Sequence, residues 1–330
     1  MSLETFVPRK FQAETAKVID QANDIIAEYQ AQGFTLSLRQ LYYQFVSRDL
    51  IENTVTSYKR LGTIINNGRL AGMIDWDAIE DRTRTLVTHA SWDSPQDIVS
   101  AVARQYREDI WEGQNYRPEV WVEKAALLGV IDPICGAYRV PYFASIGNNS
   151  QSAQYEAGKR FACLLKGGLI PVVLHLADHD PNGIDMTRDN RERLAMFAGG
   201  EVEVRRIALN IDQVRLHQPP PNFAKEADTR FAAYAAEFGQ ECWELDALTP
   251  TVIADLIRQE LNGMINVADW RKRLSAEKKS HPARQGLEEL GQGQKNGGNM
   301  NRHQGQGQAT YTNSHAMTGR SIYAAPQGVL

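Results

Sequence analysis

Cysteine is scarce in this chain of 330 residues, which has only three. Cys135, Cys163 and Cys242 lie far apart and form no CxxC pair. The pattern offers neither a disulfide framework nor a structural zinc site, and a reducing, cytoplasmic setting is expected. Long apolar runs are missing too. None approaches the ~20 residues needed to span a bilayer. The opening stretch, MSLETFVPRKFQ, lacks the apolar core of a signal peptide, so no membrane partner is expected. Positive charge is not in excess: 36 Lys and Arg stand against 40 Asp and Glu, for a formal net charge of -4. That argues against a protein that coats DNA nonspecifically, while leaving room for a local basic groove. There is no internal repeat. What remains is 42% hydrophobic and 23% charged, ordinary for a soluble globular protein. The length suits about two domains at ~150 residues each.

Residues from about Phe11 to Gln30 predict an amphipathic helix with Ile19, Ala22, Ile25 and Ile26 on one stripe. Gly33 stops it. Ser37 and Gln40 make a capping-box pattern that opens a second helix. A third follows Asn53 or Thr54 and ends at Gly72. The segment MIDWDAIEDRTR then reads as an extended wing. Three helices and a wing suggest a winged-helix-like, DNA-binding domain over residues 1–95. On the third helix, Lys59, Arg60, Asn67 and Arg69 are candidate DNA contacts, beside Tyr58 and Asn66. Cations suit phosphates, and asparagine reaches base edges. A solvated helix face explains this stretch equally well. Arg82 and Arg84 add charge to the wing, and the basic run RKRLSAEKKS is either a solvated helix or a further DNA contact.

From about Tyr116 the chain alternates short apolar strands with helices. EVWVEKAALL, YRVPYFAS, LIPVVLHLADHD and EVEVRRIAL supply strands, and helical patterns lie between and after them. The alternation predicts an α/β domain, a Rossmann-like parallel sheet with helices on both faces, over residues 96–280 with a helical extension at its end. In such sheets functional groups gather at the carboxyl ends of strands. Beyond His281 the sequence is rich in Gly, Gln and Asn and poor in large apolar residues. Residues 281–330 therefore read as a disordered tail.

One stretch, VVLHLADHDPNGIDM, drives an apolar strand into two acids. Asp178 and Asp180 are two apart, so in extended chain both carboxylates point to one face and His179 to the other. Pro181, Asn182 and Gly183 then read as a turn. Two adjacent carboxylates repel unless a cation relieves them, and a hard ion such as Mg²⁺, with Mn²⁺ as substitute, suits oxygen ligands. Glu123, at the end of another strand, offers a third carboxylate. The plain alternative is a solvated strand end with an Asp-Pro turn. His175, His179 and His217 make no convincing metal set. ECWELDALTP reads as a turn closing the core, in preference to a metal site using Glu244 or Asp246.

Glu123, the loop at Gly147 and Asp178-x-Asp180-Pro-x-Gly183 follow one another on successive strand ends. This order resembles the Toprim domain. DHDPNG together with Glu123-Lys124 is most similar to the topoisomerase VI A subunit and its meiotic relative, the double-strand-break protein. The resemblance spans roughly Thr35 to Ala208. It implies that Glu123, Asp178 and Asp180 bind Mg²⁺, with Glu123 alternatively a general acid or base in rejoining. It also implies a nucleophilic tyrosine on a winged helix, and Arg39-Gln40-Leu41-Tyr42-Tyr43 matches that motif. Tyr43 takes the nucleophile position, with Arg39 one turn earlier on the same face. A phenol is a poor nucleophile at neutral pH; a nearby guanidinium favours its anion and a phosphoryl-transfer transition state. The alternative for Tyr43 is a core-packing tyrosine. The residues after Tyr43, QFVSRDL, depart from the family's acidic or polar residue and Phe. No glycine-rich ATP motif is present, so the chain resembles the reduced, stand-alone A-type proteins, and the ATPase of the resembled enzymes would be a separate subunit.

The resemblance implies a type IIB topoisomerase-like, DNA strand-breaking enzyme. It would form a 5′-phosphotyrosyl bond and act as a homodimer, with Tyr43 of one protomer meeting the metal of the other. The first alternative is a Toprim nuclease in which water attacks. The second is a DNA-binding or regulatory protein without activity.

Overall fold

The computed structural model describes residues 3–79, 91–94, 97, 98, 101, 107–145, 147, 149–223 and 228–277. Helix α1 (Ala13–Ala31) buries Ile19, Ala22, Ile25, Ile26 and Tyr29, the stripe its apolar spacing predicts. Gly33, at φ 84°, supplies the left-handed turn that ends it. Helix α2 (Leu38–Ser47) starts on the expected capping box. The Gln40 amide donates to Ser37 Oγ at 3.2 Å, and the Ser37 amide donates to Gln40 Oε1 at 2.9 Å. Helix α3 (Val55–Leu70) is capped by Thr54 and turns its apolar side, Leu61, Ile64 and Ile65, inward.

Four strands follow, β1 (Tyr116–Val122), β2 (Tyr142–Ala144), β3 (Ile170–Leu176) and β4 (Glu203–Ala208). They form one sheet in the order β2-β1-β3-β4, with every neighbouring pair parallel. Val120, Trp121 and Val122 of β1 and Val172, Val173 and Leu174 of β3 have no exposure at all. A parallel sheet is buried on both faces, so its central strands carry unbroken apolar runs where a half-exposed strand would alternate. The helices are α4 (Leu128–Tyr138), α5 (Gln151–Lys166), α6 (Pro181–Ala198), α7 (Ile211–His217), α8 (Phe231–Phe238) and α9 (Pro250–Met264). Two short strands, β5 (Asn222–Phe223) and β6 (Glu241–Cys242), pair antiparallel. Gly158 lets α5 approach α6: a Cβ there would lie 2.3 Å from Cβ of Phe197.

Two boundaries differ from the sequence reading, both at the acidic stretch. Strand β3 stops at Leu176, before the aspartates. The chain stays extended beyond it because His179 and Trp243 exchange backbone hydrogen bonds of 2.8 and 3.0 Å. Pro181-Asn182-Gly183 is not a free turn. Asp180 is the N-cap of α6 and Pro181 its first residue, where a missing N–H and a fixed φ suit a helix start.

The described residues fall into two compact units. One draws on Met1–Arg84 and Asn115–Met264, the other on Thr85–Gln114 and Ile265–Leu330. The three N-terminal helices and the parallel sheet, read from the sequence as separate domains, thus belong to one unit. In the second unit the Trp111 and Trp270 rings meet edge to face at 5.3 Å, and Arg273 pairs with Glu112 at 2.6 Å. The expected wing beyond Ile79, with Arg82 and Arg84, and the tail at 281–330 lie outside the described residues. Among the described residues, no helix is long and apolar enough to cross a membrane.

Candidate active site

Val122 of β1 and Leu176 of β3 are register partners, so the chain leaves both central strands side by side. Glu123 follows one and Asp178 the other. The Asp178 amide donates to Glu123 Oε2 at 2.9 Å. Because His179 is paired with Trp243, the extended segment alternates as expected. Asp178 and Asp180 both line a cavity of about 750 Å³, while His179 is buried and its Nδ1 lies 2.8 Å from the Tyr234 hydroxyl. Asp178 is nearly buried. Its Oδ1 accepts from the Leu245 amide at 2.8 Å and its Oδ2 lies 2.6 Å from Lys124 Nζ. Asp180 Oδ1 accepts from the Gly183 amide at 2.6 Å, as a helix cap should.

Gly183 is required by this arrangement. A Cβ on it would stand 2.1 Å from the Asp178 carbonyl oxygen. Arg206, half-buried on β4, fastens the same segment. Its guanidinium donates to the carbonyls of Asp178 (2.5 Å), Gly183 (2.7 Å), Ala177 (3.1 Å) and Leu209 (3.1 Å), and to Thr187 Oγ1 (3.0 Å). Burial lowers its pKa to about 10, so it remains a cation at neutral pH.

The same cavity is lined by Arg39 and Tyr43 of α2, about 80 to 140 residues earlier in the chain than the acids. Tyr43 is 3% exposed. Arg39 Nη2 lies 3.5 Å from its hydroxyl, at the outer limit of a hydrogen bond. The guanidinium is committed more strongly elsewhere, 2.5 Å from Glu244 Oε2 and 2.8 Å from Asp246 Oδ2. Burial therefore holds the Tyr43 phenol above its ordinary range, the charges of Glu244 and Asp246 push the same way, and Arg39 only partly opposes them. The expected support of the phenolate by Arg39 is weakened in this arrangement because two carboxylates already neutralise the guanidinium.

Lys124 is the second cation of the site. Besides Asp178 it touches Glu244 Oε2 at 2.7 Å. At Asp178, burial and the charge of Glu123 raise the carboxyl pKa, Lys124 lowers it, and burial prevails, to about 8. Lys124 itself is held above its usual range by Asp178 and Glu244. Within this pair the ammonium is the fixed charge and the carboxyl is the group that titrates. Glu123 is also raised, chiefly by burial.

Five carboxyl groups and three cations line the cavity, a formal excess of two negative charges when every acid is ionised. The acids are Glu123, Asp178, Asp180, Asp228 and Glu244; the cations are Arg39, Lys124 and Arg230. Among the described residues no group of three or more His, Cys, Asp or Glu side chains is arranged to hold a metal ion. Lys124 Nζ supplies the positive charge between Asp178 and Glu244 instead. In chemistry, though, Glu123, Asp178 and Asp180 offer the oxygen donors a hard divalent ion takes, and burial raises the pKa of Glu123 and Asp178.

The candidate DNA contacts of α3 divide. Lys59 and Arg60 are exposed and Asn67 half-buried. Arg69 turns inward, donates to the carbonyls of Trp76 (3.0 Å) and Ile79, and stacks on the Trp76 ring. In this structure it fastens the segment after α3, a role the sequence reading did not give it. None of these four lines the cavity, whereas Tyr58 does. Sequence reasoning gave Arg206 no role, quoted Lys124 only as part of a motif, and set aside Glu244 and Asp246 after weighing them as metal ligands. The one signal was the odd placement of Trp243 and Leu245 between acids in ECWELDALTP. No protein-family model matches the chain, and no characterised protein matches it in sequence.

Proposed function

We propose that this protein is a divalent-metal-dependent DNA strand-cleaving enzyme of the type IIB topoisomerase A-subunit kind, with a winged-helix-like segment and a Toprim-like sheet. The observation that carries the reading is the meeting of Tyr43 and Arg39 with Glu123, Asp178 and Asp180 on one cavity. Residues this distant in sequence gather on a shared concave surface when a reaction needs them together. The density of carboxyl groups favours the same reading: ionised together they repel a phosphodiester unless positive charge is added. Glu123, Asp178 and Asp180 would hold Mg²⁺ or Mn²⁺, which when bound neutralises the acids and polarises the phosphoryl oxygens.

The chain's own residues supply the rest. The Tyr43 oxygen attacks phosphorus, the P–O3′ bond breaks, and the products are a 5′-phosphotyrosyl chain and a free 3′-hydroxyl. The phenol gives up its proton, and the departing 3′-oxygen takes one. Glu123, beside the Asp178 backbone and with its pKa raised chiefly by burial, suits that acid–base exchange. Arg39 and Lys124 supply positive charge toward the phosphoryl oxygens, where negative charge builds in the transition state. Lys59 and Arg60 are exposed cations suited to flanking phosphates.

A second reading has its own support. The Tyr43 phenol is buried and held above its ordinary pKa, a poor state for a nucleophile. A hydrolase would use water and leave Tyr43 structural. Tyr43→Phe separates the two: it removes one hydroxyl and keeps the ring. Supercoiled plasmid, protein and Mg²⁺ are incubated, denatured, and run with and without protease. Under the first reading the wild type carries labelled DNA covalently and the variant neither cuts nor carries it. A variant that cuts at the wild-type rate leaves only the hydrolytic reading.

A further inference from the structure

The lining of the cavity changes character along the chain. Apart from Arg39, every charged group in it comes from Glu123 onward. Where α2 and α3 face the cavity, beyond Arg39 and Tyr43, the lining is Tyr42, Asn53, Thr54, Val55 and Tyr58, and none of these carries a charge. The aromatic rings run on from Tyr43. Tyr43 meets Tyr42 edge to face at 5.3 Å, and Tyr42 meets Tyr58 in the same way at 5.2 Å.

These residues differ in how far they are already engaged. Tyr42 is 5% exposed, and its hydroxyl is held by Asn53 Oδ1 at 2.9 Å and the Thr54 carbonyl at 3.1 Å. The Asn53 amide donates in turn to the Pro221 carbonyl at 3.0 Å and Asn222 Oδ1 at 3.2 Å. Tyr42 and Asn53 are thus a fixed backing. Val55 and Tyr58 are not spent in this way. Tyr58 is half-buried, and Val55 is 70% exposed although burial would favour it. Val55 opens α3 and Tyr58 follows three residues later, so both lie on one face of the helix.

A phosphate calls for cations, and this stretch has none beyond Arg39. An uncharged aromatic and apolar surface beside a phosphodiester site suits the flat face of a nucleobase. In a continuous duplex neighbouring bases cover those faces and only the edges are open in the grooves. An unpaired base can turn its face to the protein. We infer that Tyr58 and Val55, backed by Tyr42, form a subsite for an unpaired nucleobase next to the phosphate attacked at Tyr43. With the Asn53 amide already engaged, the subsite selects by stacking and accepts any of the four bases. The inference rests on the strand-cleaving reading for its substrate. Its residues all come from α2, α3 and the turn between them, so the subsite accompanies Tyr43 whichever protomer supplies the carboxylates.

Binding tests it without any need for activity. Labelled hairpin DNA is offered to the full chain in Ca²⁺ in three forms: a continuous duplex, the same duplex with one unpaired nucleotide, and that bulge made abasic. Fluorescence anisotropy gives the affinities. The unpaired base should tighten binding about tenfold or more over both other hairpins, with the four bases within about threefold of one another. Tyr58→Leu keeps apolar bulk and removes the ring, and should abolish the advantage; Tyr58→Phe should keep it. Equal affinity for the abasic and the base-bearing bulge, or an advantage that survives Tyr58→Leu, overturns the subsite. The abasic comparison uses the wild type alone, so it decides the matter even where Tyr58→Leu does not fold. Cleavage in Mg²⁺ is scored separately. A chain that shows the base advantage and never cuts keeps the subsite and defeats the strand-cleaving reading, whereas one that cuts and shows no advantage defeats the subsite alone.

Discussion

Replacing Lys124 with methionine probes the charge balance of the site most directly. The change keeps much of the side-chain length and removes the ammonium that lies 2.6 Å from Asp178 and 2.7 Å from Glu244. Breaking a fully buried ion pair by removing one partner costs about 3–5 kcal/mol. Two features reduce that here. The Lys124 side chain is 23% exposed, so solvent screens part of the interaction. Asp178 can also take up a proton, since its carboxyl already sits near pH 8. A loss of about 1–3 kcal/mol is expected at neutral pH, which for a unit of this size lowers the melting temperature by roughly 2–10 °C. The sign of the pH dependence follows from the raised carboxyl pKa. Between the unfolded value and the folded one the native state binds the extra proton, so stability falls as pH rises through that window. Without Lys124 the folded pKa rises further, and the variant keeps losing stability above pH 8 where the wild type levels off. The gap between the two melting curves should widen from pH 7 to pH 9. Mg²⁺ or Mn²⁺ should raise the variant's melting temperature more than the wild type's, because the ammonium no longer competes for Asp178. Equal melting temperatures across this range, or an equal response to the ions, would refute the assignment of Lys124 as the resident cation.

Other outcomes can be checked by the same means. Gly183→Ala forces a Cβ to within 2.1 Å of the Asp178 carbonyl, so the first turn of α6 must shift; calorimetry should show a loss of about 2–4 kcal/mol or more, and plasmid cleavage should disappear with it. Arg206→Met removes the donor to four carbonyls and a hydroxyl and should destabilise by about 3 kcal/mol or more, read from urea unfolding. His175 and His179 are buried and neutral, their pKa values lowered chiefly by burial. Unfolding lets them take protons, so stability should fall as pH drops below about 6.5, and His179→Phe should flatten that fall. A variant with the unchanged acid slope would remove His179 from the account.

The helical N-terminus and the parallel sheet were legible in the sequence because their causes are local. The α1 stripe repeats with the helical period, and Ser37 and Gln40 cap α2 from three residues apart. The apolar runs of β1 and β3 stop where charged residues begin. The pairing of Asp178 with Asp180 was legible for the same reason: alternation in extended chain depends on nearest neighbours. Even so, the sequence could not tell that β3 ends at Leu176, since what keeps the next residues extended is Trp243, over sixty residues away. It could not tell that Asp180 caps a helix, because Pro-Asn-Gly serves a turn and a helix start equally well. Nor could it distinguish Arg69, spent on two carbonyls, from Lys59 and Arg60 on the same helix.

What the sequence determined by itself was the set of groups that chemistry would need: Tyr43 with Arg39, and the three acids at strand ends. What only tertiary structure decided was their balance of charge. Arg39 is held by Glu244 and Asp246, and Lys124 sits among the carboxylates where the sequence suggested a metal. The Tyr43 phenol is pushed up rather than down, chiefly by burial and then by the charges of Glu244 and Asp246. The ion pairs depend on side chains distant in sequence coming within 3 Å of one another. Coulomb interactions at that range, in a partly desolvated cavity, outweigh the helical spacing of Arg39 and Tyr43 on which the sequence reading relied.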